Sequence, residues 1–302
     1  RSLNPFNAFF IIYKLNKFFR VTEIKVIMSY TFKCNFFNCL LNIFYKKNLI
    51  VNVTGMGEMY LSKNILKKFI FNIYCLLLSK ANFIICQNID DKNFLISKNY
   101  KLKNKLLLIP GSGIDLNFFN FQKIDFTRKI NFLIVARIIK EKGILEFIDA
   151  AKSFIKKYPD KATFTIIGNT YNDKFKRLFL AKIRDSQIKY LSFSHSIKNE
   201  ISKSTCCVLP SYREGLSRFL LESLALGRPI IASNVPGCRD LVKDNYNGFL
   251  LNDINSTQLL ILFERFIKLS NKKIREYSNF SRKFSYQFDE KIINKEIINI
   301  FR

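Results

Sequence analysis

The chain contains one histidine, His195, in 302 residues, so the imidazole ligands on which most zinc and iron sites depend are missing. Its seven cysteines form no C-x-x-C pair and sit mostly in apolar runs, which excludes a zinc finger and fits buried free thiols in a reducing compartment. Glycine (10) and proline (6) are scarce, and with no repeat or low-complexity run in view, disordered and solenoid classes drop out. Long apolar runs are missing too. The best, residues 69–78, carries Asn72 and is too short to cross a bilayer. No signal-peptide pattern opens the chain, whose first residue is Arg1.

The last shortage is of acid: 23 Asp and Glu face 50 Lys and Arg, a formal charge of +27. The cations are spread over the whole length among abundant Asn, Ile and Phe, a mixture that an AT-rich coding bias produces. Such a chain is drawn to polyanions. Without a zinc finger or an aromatic-basic RNP run, nucleic acid is not the expected partner, and an anionic membrane surface is. What is present is a globular complement of 48% hydrophobic residues, in a chain long enough for two cores.

Strand and helix periodicities alternate, which implies parallel sheets with crossover helices. Residues 1–20 read as a turn at Asn4-Pro5 and an amphipathic helix, its Phe9, Ile12, Tyr13 and Leu15 to Phe19 set among basic residues. That face packs on a sheet in the first account and lies on lipid in the second. Strands are expected at 23–28, 49–53 and 83–86, helices at 35–45 and 65–78, an apolar segment at 106–109, and a linker at 117–127. A second series follows, with strands at 131–136, 163–167, 190–193 and 249–252, a helix at 144–156, and helical segments from Ser256 onward. The expected domains are 1–120 and 121–286, with 287–302 returning to the first. His195 reads as an exposed or hydrogen-bonded residue.

The chain is organised around residues 208–242, VLPSYREGLSRFLLESLALGRPIIASNVPGCRDLV. A short strand, Cys207 to Leu209, turns at Pro210-Ser211. Ser217 is placed to cap a helix, with Leu221, Leu224 and Ala225 on one face, Gly227 just past its end and Pro229 barring continuation into a strand at 230–232. Glu214 and Glu222 bracket the start of that helix, seven residues lying between them. Helix N-terminal N–H groups beside a carboxylate suit a ligand with both anionic and hydroxyl groups. Earlier, Gly55 and Gly57 follow a strand, where an open parallel sheet places ligands.

The E-x7-E pair, in the context PSYREGL…LLESLALGRPIIASNVPG, resembles the signature of retaining nucleotide-sugar glycosyltransferases of family 4. The resemblance runs through most of the chain: R-S-x-N-P at the start, T-F-K-x-N from Thr31 to Asn35, V-T-G-x-G from Val53 to Gly57, Q-N-x-D-D from Gln87 to Asp91, and G-S-G-I-D from Gly111 to Asp115. These look like the branch acting on undecaprenyl-diphosphate-linked sugars, which includes galactosyl- and N-acetylgalactosaminyltransferases. Arg137 and Lys142, separated by I-I-K-E and followed by Gly143, resemble the family's [GA]-R-x(4)-K-G element. Ser217 departs from the family, where a proline is common.

The resemblance implies a GT-B α/β fold: two Rossmann-like domains with parallel sheets facing across a cleft, the first incomplete. It implies a hexosyltransferase that moves a hexose or N-acetylhexosamine from a UDP-sugar to a polyprenyl-diphosphate-linked saccharide, with retention and without a metal or other cofactor, in cell-surface glycan assembly. By the same resemblance, Arg137 and Lys142 stabilise the departing diphosphate and Glu214 contacts the donor sugar. Glu222 holds the ribose, while Gly215, Leu216, Ser217 and Gly168 line the donor site. Lys33, Gly55, Gly57, Gly111, Ser112 and Gly113 lie on the acceptor side or the cleft. The protein is expected peripherally on the inner face of the plasma membrane. Rival readings are an epimerase or phosphorylase of the same fold, or a non-catalytic, membrane-adhering descendant. Because R-S-x-N-P resembles a point already inside the first domain, N-terminal truncation is also expected.

Overall fold

The computed structural model describes residues 5–21, 23–56 and 64–301. The chain divides into two compact units, Arg1–Gly111 with Ile297–Arg302, and Ser112–Glu296. The division therefore falls at Gly111/Ser112, earlier than the expected boundary at residue 120. The expected linker 117–127 is not free: Phe119 and, just before it, Leu116 are buried in the core of the second unit, and Arg282 donates to the carbonyls of Leu116 and Phe119, at 3.1 and 2.8 Å.

In the first unit, strands β1 (Val26–Tyr30), β2 (Asn48–Val53), β3 (Phe83–Cys86) and β4 (Leu106–Leu108) form a parallel sheet in that spatial order. Their helices are α1 (Pro5–Val21), α2 (Phe32–Tyr45), α3 (Ile65–Leu77) and α4 (Ile89–Lys98). Leu49, Val51 and Val53 alternate onto one face of β2 and are buried with Ile84, Cys86, Phe71, Tyr74 and Cys39. Helix α1 packs on α2 rather than on the sheet as first expected. Phe19 stacks on Tyr45 with ring centroids 5.3 Å apart, and the Tyr45 hydroxyl donates to Asn16 Oδ1 at 2.5 Å. Phe9, Phe10, Ile11, Tyr13, Phe18 and Val21 stay exposed.

The second unit holds β5 (Ile130–Val135), β6 (Ala162–Ile167), β7 (Ile188–Leu191), β8 (Cys206–Leu209), β9 (Ile230–Ser233) and β10 (Gly248–Leu251). All are parallel, in the order β10-β9-β8-β5-β6-β7. Between and after them lie α5 (Ile144–Lys157), α6 (Asp173–Ile183), α7 (Ile197–Lys203), α8 (Arg218–Ala225), α9 (Ser256–Ile267), α10 (Asn271–Ser285) and α11 (Glu290–Asn299). Phenylalanine fills one side of this sheet. Phe132 on β5 meets Phe164 on β6, Phe154 on α5, and Phe263 and Phe266 on α9, with centroids 4.6 to 6.3 Å apart. Each such ring, fully buried, contributes roughly 1.5–3 kcal/mol.

Candidate active site

In the second unit the strand order reverses between β5 and β8. At such a switch point, loops leaving adjacent strands part in opposite directions and open a crevice at the carboxyl ends. The loops in question are residues 136–143 after β5 and 210–217 after β8, the two stretches that carry Arg137, Lys142 and Glu214.

Lys142 ends a single 3-10 turn, Lys140–Lys142, which hands over to α5 through Gly143 at φ +66°. A Cβ on Gly143 would lie 2.0 Å from the Pro210 carbonyl oxygen, so only glycine lets the two loops close on each other. Across this contact Lys142 Nζ donates to Glu214 Oε1, and Ser211 Oγ donates to the same oxygen at 2.6 Å. The side chains of the pair keep 16% and 12% of their exposure. They are shielded enough to interact strongly and still reachable by a ligand.

A third loop, after β9, backs the second. Glu214 N–H donates to the Pro236 carbonyl at 3.3 Å and Ser217 N–H to the Gly237 carbonyl at 3.2 Å. Ser217 caps α8 as expected, its Oγ accepting from Leu220 N–H at 3.4 Å. Gly227, at φ +72°, follows the C-terminal turn. Gly215 is buried, and the Leu216 N–H finds no acceptor among the described residues.

Glu222 lies one turn into α8 with 15% side-chain exposure and pairs with Arg218 Nε at 3.0 Å. Burial raises its carboxyl pKa, and Arg218 partly opposes that. Arg218 Nη1 also donates to the Gly113 carbonyl at 2.9 Å and sits 3.4 Å from Ser112 Oγ. Gly168 closes β6 at φ +150°, where a Cβ would come 1.8 Å from the Ala136 carbonyl oxygen. The β6 loop therefore lies directly against the root of the β5 loop, tied by Ile138 N–H to the Asn169 carbonyl at 2.9 Å.

The structure thus joins Lys142 to Glu214, and joins Glu222 through Arg218 to Ser112 and Gly113. Arg137 is exposed at the start of the Lys142 loop and has no side-chain partner among the described residues. Lys33, in the first turn of α2, Gly55, after β2, and Gly111, the last residue before the division, belong to the first unit. Ser112 and Gly113, expected on the acceptor side or lining the cleft, belong to the second. Gly57 and the first four residues, hence most of R-S-x-N-P, lie outside the described residues. His195 is exposed against Phe193. The sequence reading passed over Ser211, Tyr212 and Arg218. The i, i+4 spacing of Arg218 and Glu222 was the available signal for the last.

The family model for glycosyl transferases group 1 matches residues 117–284, more than half of the chain. The chain belongs to that family. This glycosyltransferase is 26% identical to the N,N'-diacetylbacillosaminyl-diphospho-undecaprenol alpha-1,3-N-acetylgalactosaminyltransferase of Campylobacter jejuni, over 99% of this chain and 82% of that one. It is 33% identical to the UDP-Gal:alpha-D-GlcNAc-diphosphoundecaprenol alpha-1,3-galactosyltransferase of Escherichia coli, over 57% of this chain and 48% of that one. Among solved structures it resembles Anabaena HepE in complex with UDP-glucose, at a TM-score of 0.83 and 17% identity, covering 96% of this chain and 81% of that one. A glycosyltransferase from Rickettsia africae matches at a TM-score of 0.77 and 16% identity, over 100% and 82%. The fold of this glycosyltransferase is accordingly GT-B, as the E-x7-E resemblance implied.

Proposed function

We propose that this glycosyltransferase moves a hexose or N-acetylhexosamine from a UDP-sugar to a saccharide carried on a polyprenyl diphosphate, with retention of anomeric configuration. The observation that carries this reading is the Lys142–Glu214–Ser211 cluster at the strand-order reversal, with Arg137 on the same loop as Lys142. The Lys142 ammonium can turn from Glu214 to the donor diphosphate, releasing Glu214 to accept hydrogen bonds from sugar hydroxyls. Arg137, free to move, meets the charge that builds on the departing UDP. Glu222 accepts from the ribose hydroxyls at the other end of the donor. In retention with departure and attack on one face, the leaving phosphate oxygen takes the acceptor proton, so no histidine base is required. The relatives' acceptors, both undecaprenyl-diphosphate-linked by name, support the acceptor class.

In this reading the cations do the work of a divalent metal, and turnover is insensitive to EDTA. Attachment to the anionic leaflet is peripheral. No helix among the described residues is long and apolar enough to cross a membrane. The exposed face of α1 mixes Phe9, Phe10, Tyr13 and Phe18 with Lys14 and Lys17, and α3 exposes Ile65, Leu66 and Phe69, which suits an interfacial lie. A mass-spectrometric screen of UDP-sugars with a membrane extract as acceptor tests the proposal. A lipid-linked product one sugar longer is expected, and donor binding without any transferred sugar would count against it.

A further inference from the structure

Glu146, in the first turn of α5, and Tyr212, between Ser211 and Glu214, have no part in the chemistry above. Yet beside the Lys142–Glu214 pair they form a second side-chain tie, from the β8 loop to the start of the helix that follows the β5 loop. The Tyr212 hydroxyl donates to Glu146 Oε1 at 2.7 Å, and the Tyr212 N–H donates to the Glu141 carbonyl at 2.9 Å. These two bonds straddle Lys142 and Gly143 on one side of the contact and flank the Ser211–Glu214 turn on the other. Burial and the neighbouring carboxylate push the Tyr212 hydroxyl up to about 12, so it remains a donor across the neutral range. Glu146 Oε2 is buried with no hydrogen-bond partner among the described residues, which leaves the Tyr212 hydroxyl as the bond that holds this carboxylate.

We propose that Tyr212 and Glu146 are positioning residues: their hydrogen bond fixes the register of the β5 loop against the β8 loop, and so sets where Lys142 Nζ stands relative to Glu214 and an incoming nucleoside diphosphate. The proposal rests on the reading of Lys142 as a diphosphate ligand. The physical argument is one of reach. Lys142 has a long side chain rooted in one turn of 3-10 helix, whose carbonyl at Glu141 is pinned by Tyr212. Without the hydroxyl tie, the turn and the Pro210–Glu214 segment keep the Glu141–Tyr212 backbone bond, the Lys142–Glu214 pair itself and the close fit at Gly143. Donor binding removes the ion pair, because the ammonium must turn to phosphate. The tie therefore matters most when the site is occupied, which is when loop position decides binding and turnover.

UDP itself is the probe, titrated by calorimetry into the full chain and into Tyr212→Phe, Glu146→Gln, Glu146→Ala, Lys142→Ala and the Tyr212→Phe/Lys142→Ala double variant. Tyr212→Phe and Glu146→Ala are expected to weaken UDP binding about tenfold, while melting within about 2–4 °C of the parent, as loss of one partly buried hydrogen bond allows. Glu146→Gln keeps an acceptor for the hydroxyl and should bind within about twofold of the parent, a rescue that separates geometry from charge. If Tyr212 acts through Lys142, the double variant binds UDP no more weakly than Lys142→Ala alone. Parent-like binding by Tyr212→Phe, or full additivity in the double variant, overturns the inference. Parent-like binding by Lys142→Ala overturns instead the reading on which it rests.

Discussion

At the scale of single residues, the site keeps two carboxylates out of water, each beside a cation, but the two are held differently. Glu214 has a lysine and a serine on one oxygen, whereas Glu222 has an arginine that is itself half occupied by the Gly113 carbonyl. Replacing Arg137 and Lys142 together by alanine should lower transfer by several orders of magnitude, since one donor to a developing anion is typically worth about 2.7–4 kcal/mol; a double variant with nearly full transfer would make them surface charges. Glu222→Gln should weaken UDP binding by about 1.5–3 kcal/mol, measured by calorimetry. The same substitution has an opposite effect on the fold. Burial raises the Glu222 pKa above its unfolded value, so its ionisation costs stability above the folded pKa and costs nothing below the unfolded one. Glu222→Gln should therefore melt higher than the parent near neutral pH and converge with it in acid. Coincident melting curves at pH 7 would contradict this.

At the scale of elements, the most loaded side chain is Arg228, fully buried, donating to the carbonyls of Ser202, Ser204, Leu226 and Gln122. Burial pushes its pKa down to about 10, and it stays cationic at neutral pH. Arg228→Met would strand those carbonyls at about 1–3 kcal/mol each, so a loss of at least about 3 kcal/mol in urea unfolding is expected. A loss under about 1 kcal/mol would show that water replaces the guanidinium. The sequence made the regular elements readable, because alternation and capping act locally. Strand β3 falls on the residues expected, and Ser217 and Gly227 bound α8 as their chemistry demands. Strand β7 lies two residues earlier than expected, since Ile188 is apolar but isolated by Lys189. Helix α4 escaped notice because few of its residues are apolar; at its start Asn88 Oδ1 accepts from the Asp91 N–H, and the Asn88 side-chain amide donates to the Asp91 carboxylate. Residues 117–127 read as linker because their ties to the core run to Arg228 and Arg282, over a hundred residues away. The site residues were visible as a motif, whereas the pairing of Lys142 with Glu214 needed the strand-order reversal to bring the loops together.

At the scale of the whole molecule, two cores and a charge of +27 set the behaviour. If the cores melt separately, UDP at a hundredfold excess over its dissociation constant should raise the second unit by about 2.7 kcal/mol and leave the first unmoved; a shift of both transitions together would show coupling. Binding to anionic vesicles should fall away in high salt, since each cation near the surface contributes about 1 kcal/mol that salt screens. Retention through salt and carbonate washes would point to insertion instead.

The strap from Leu116 to Gln122 also has a bearing on the order in which the protein is made. It leaves the ribosome before any strand of the unit it belongs to, carrying Leu116 and Phe119 with nothing to cover them. Its fasteners arrive late: Arg228 just ahead of β9, and Arg282 near the end of α10. Until translation has passed residue 282, the Leu116 and Phe119 carbonyls lack the guanidinium that holds them in the finished unit.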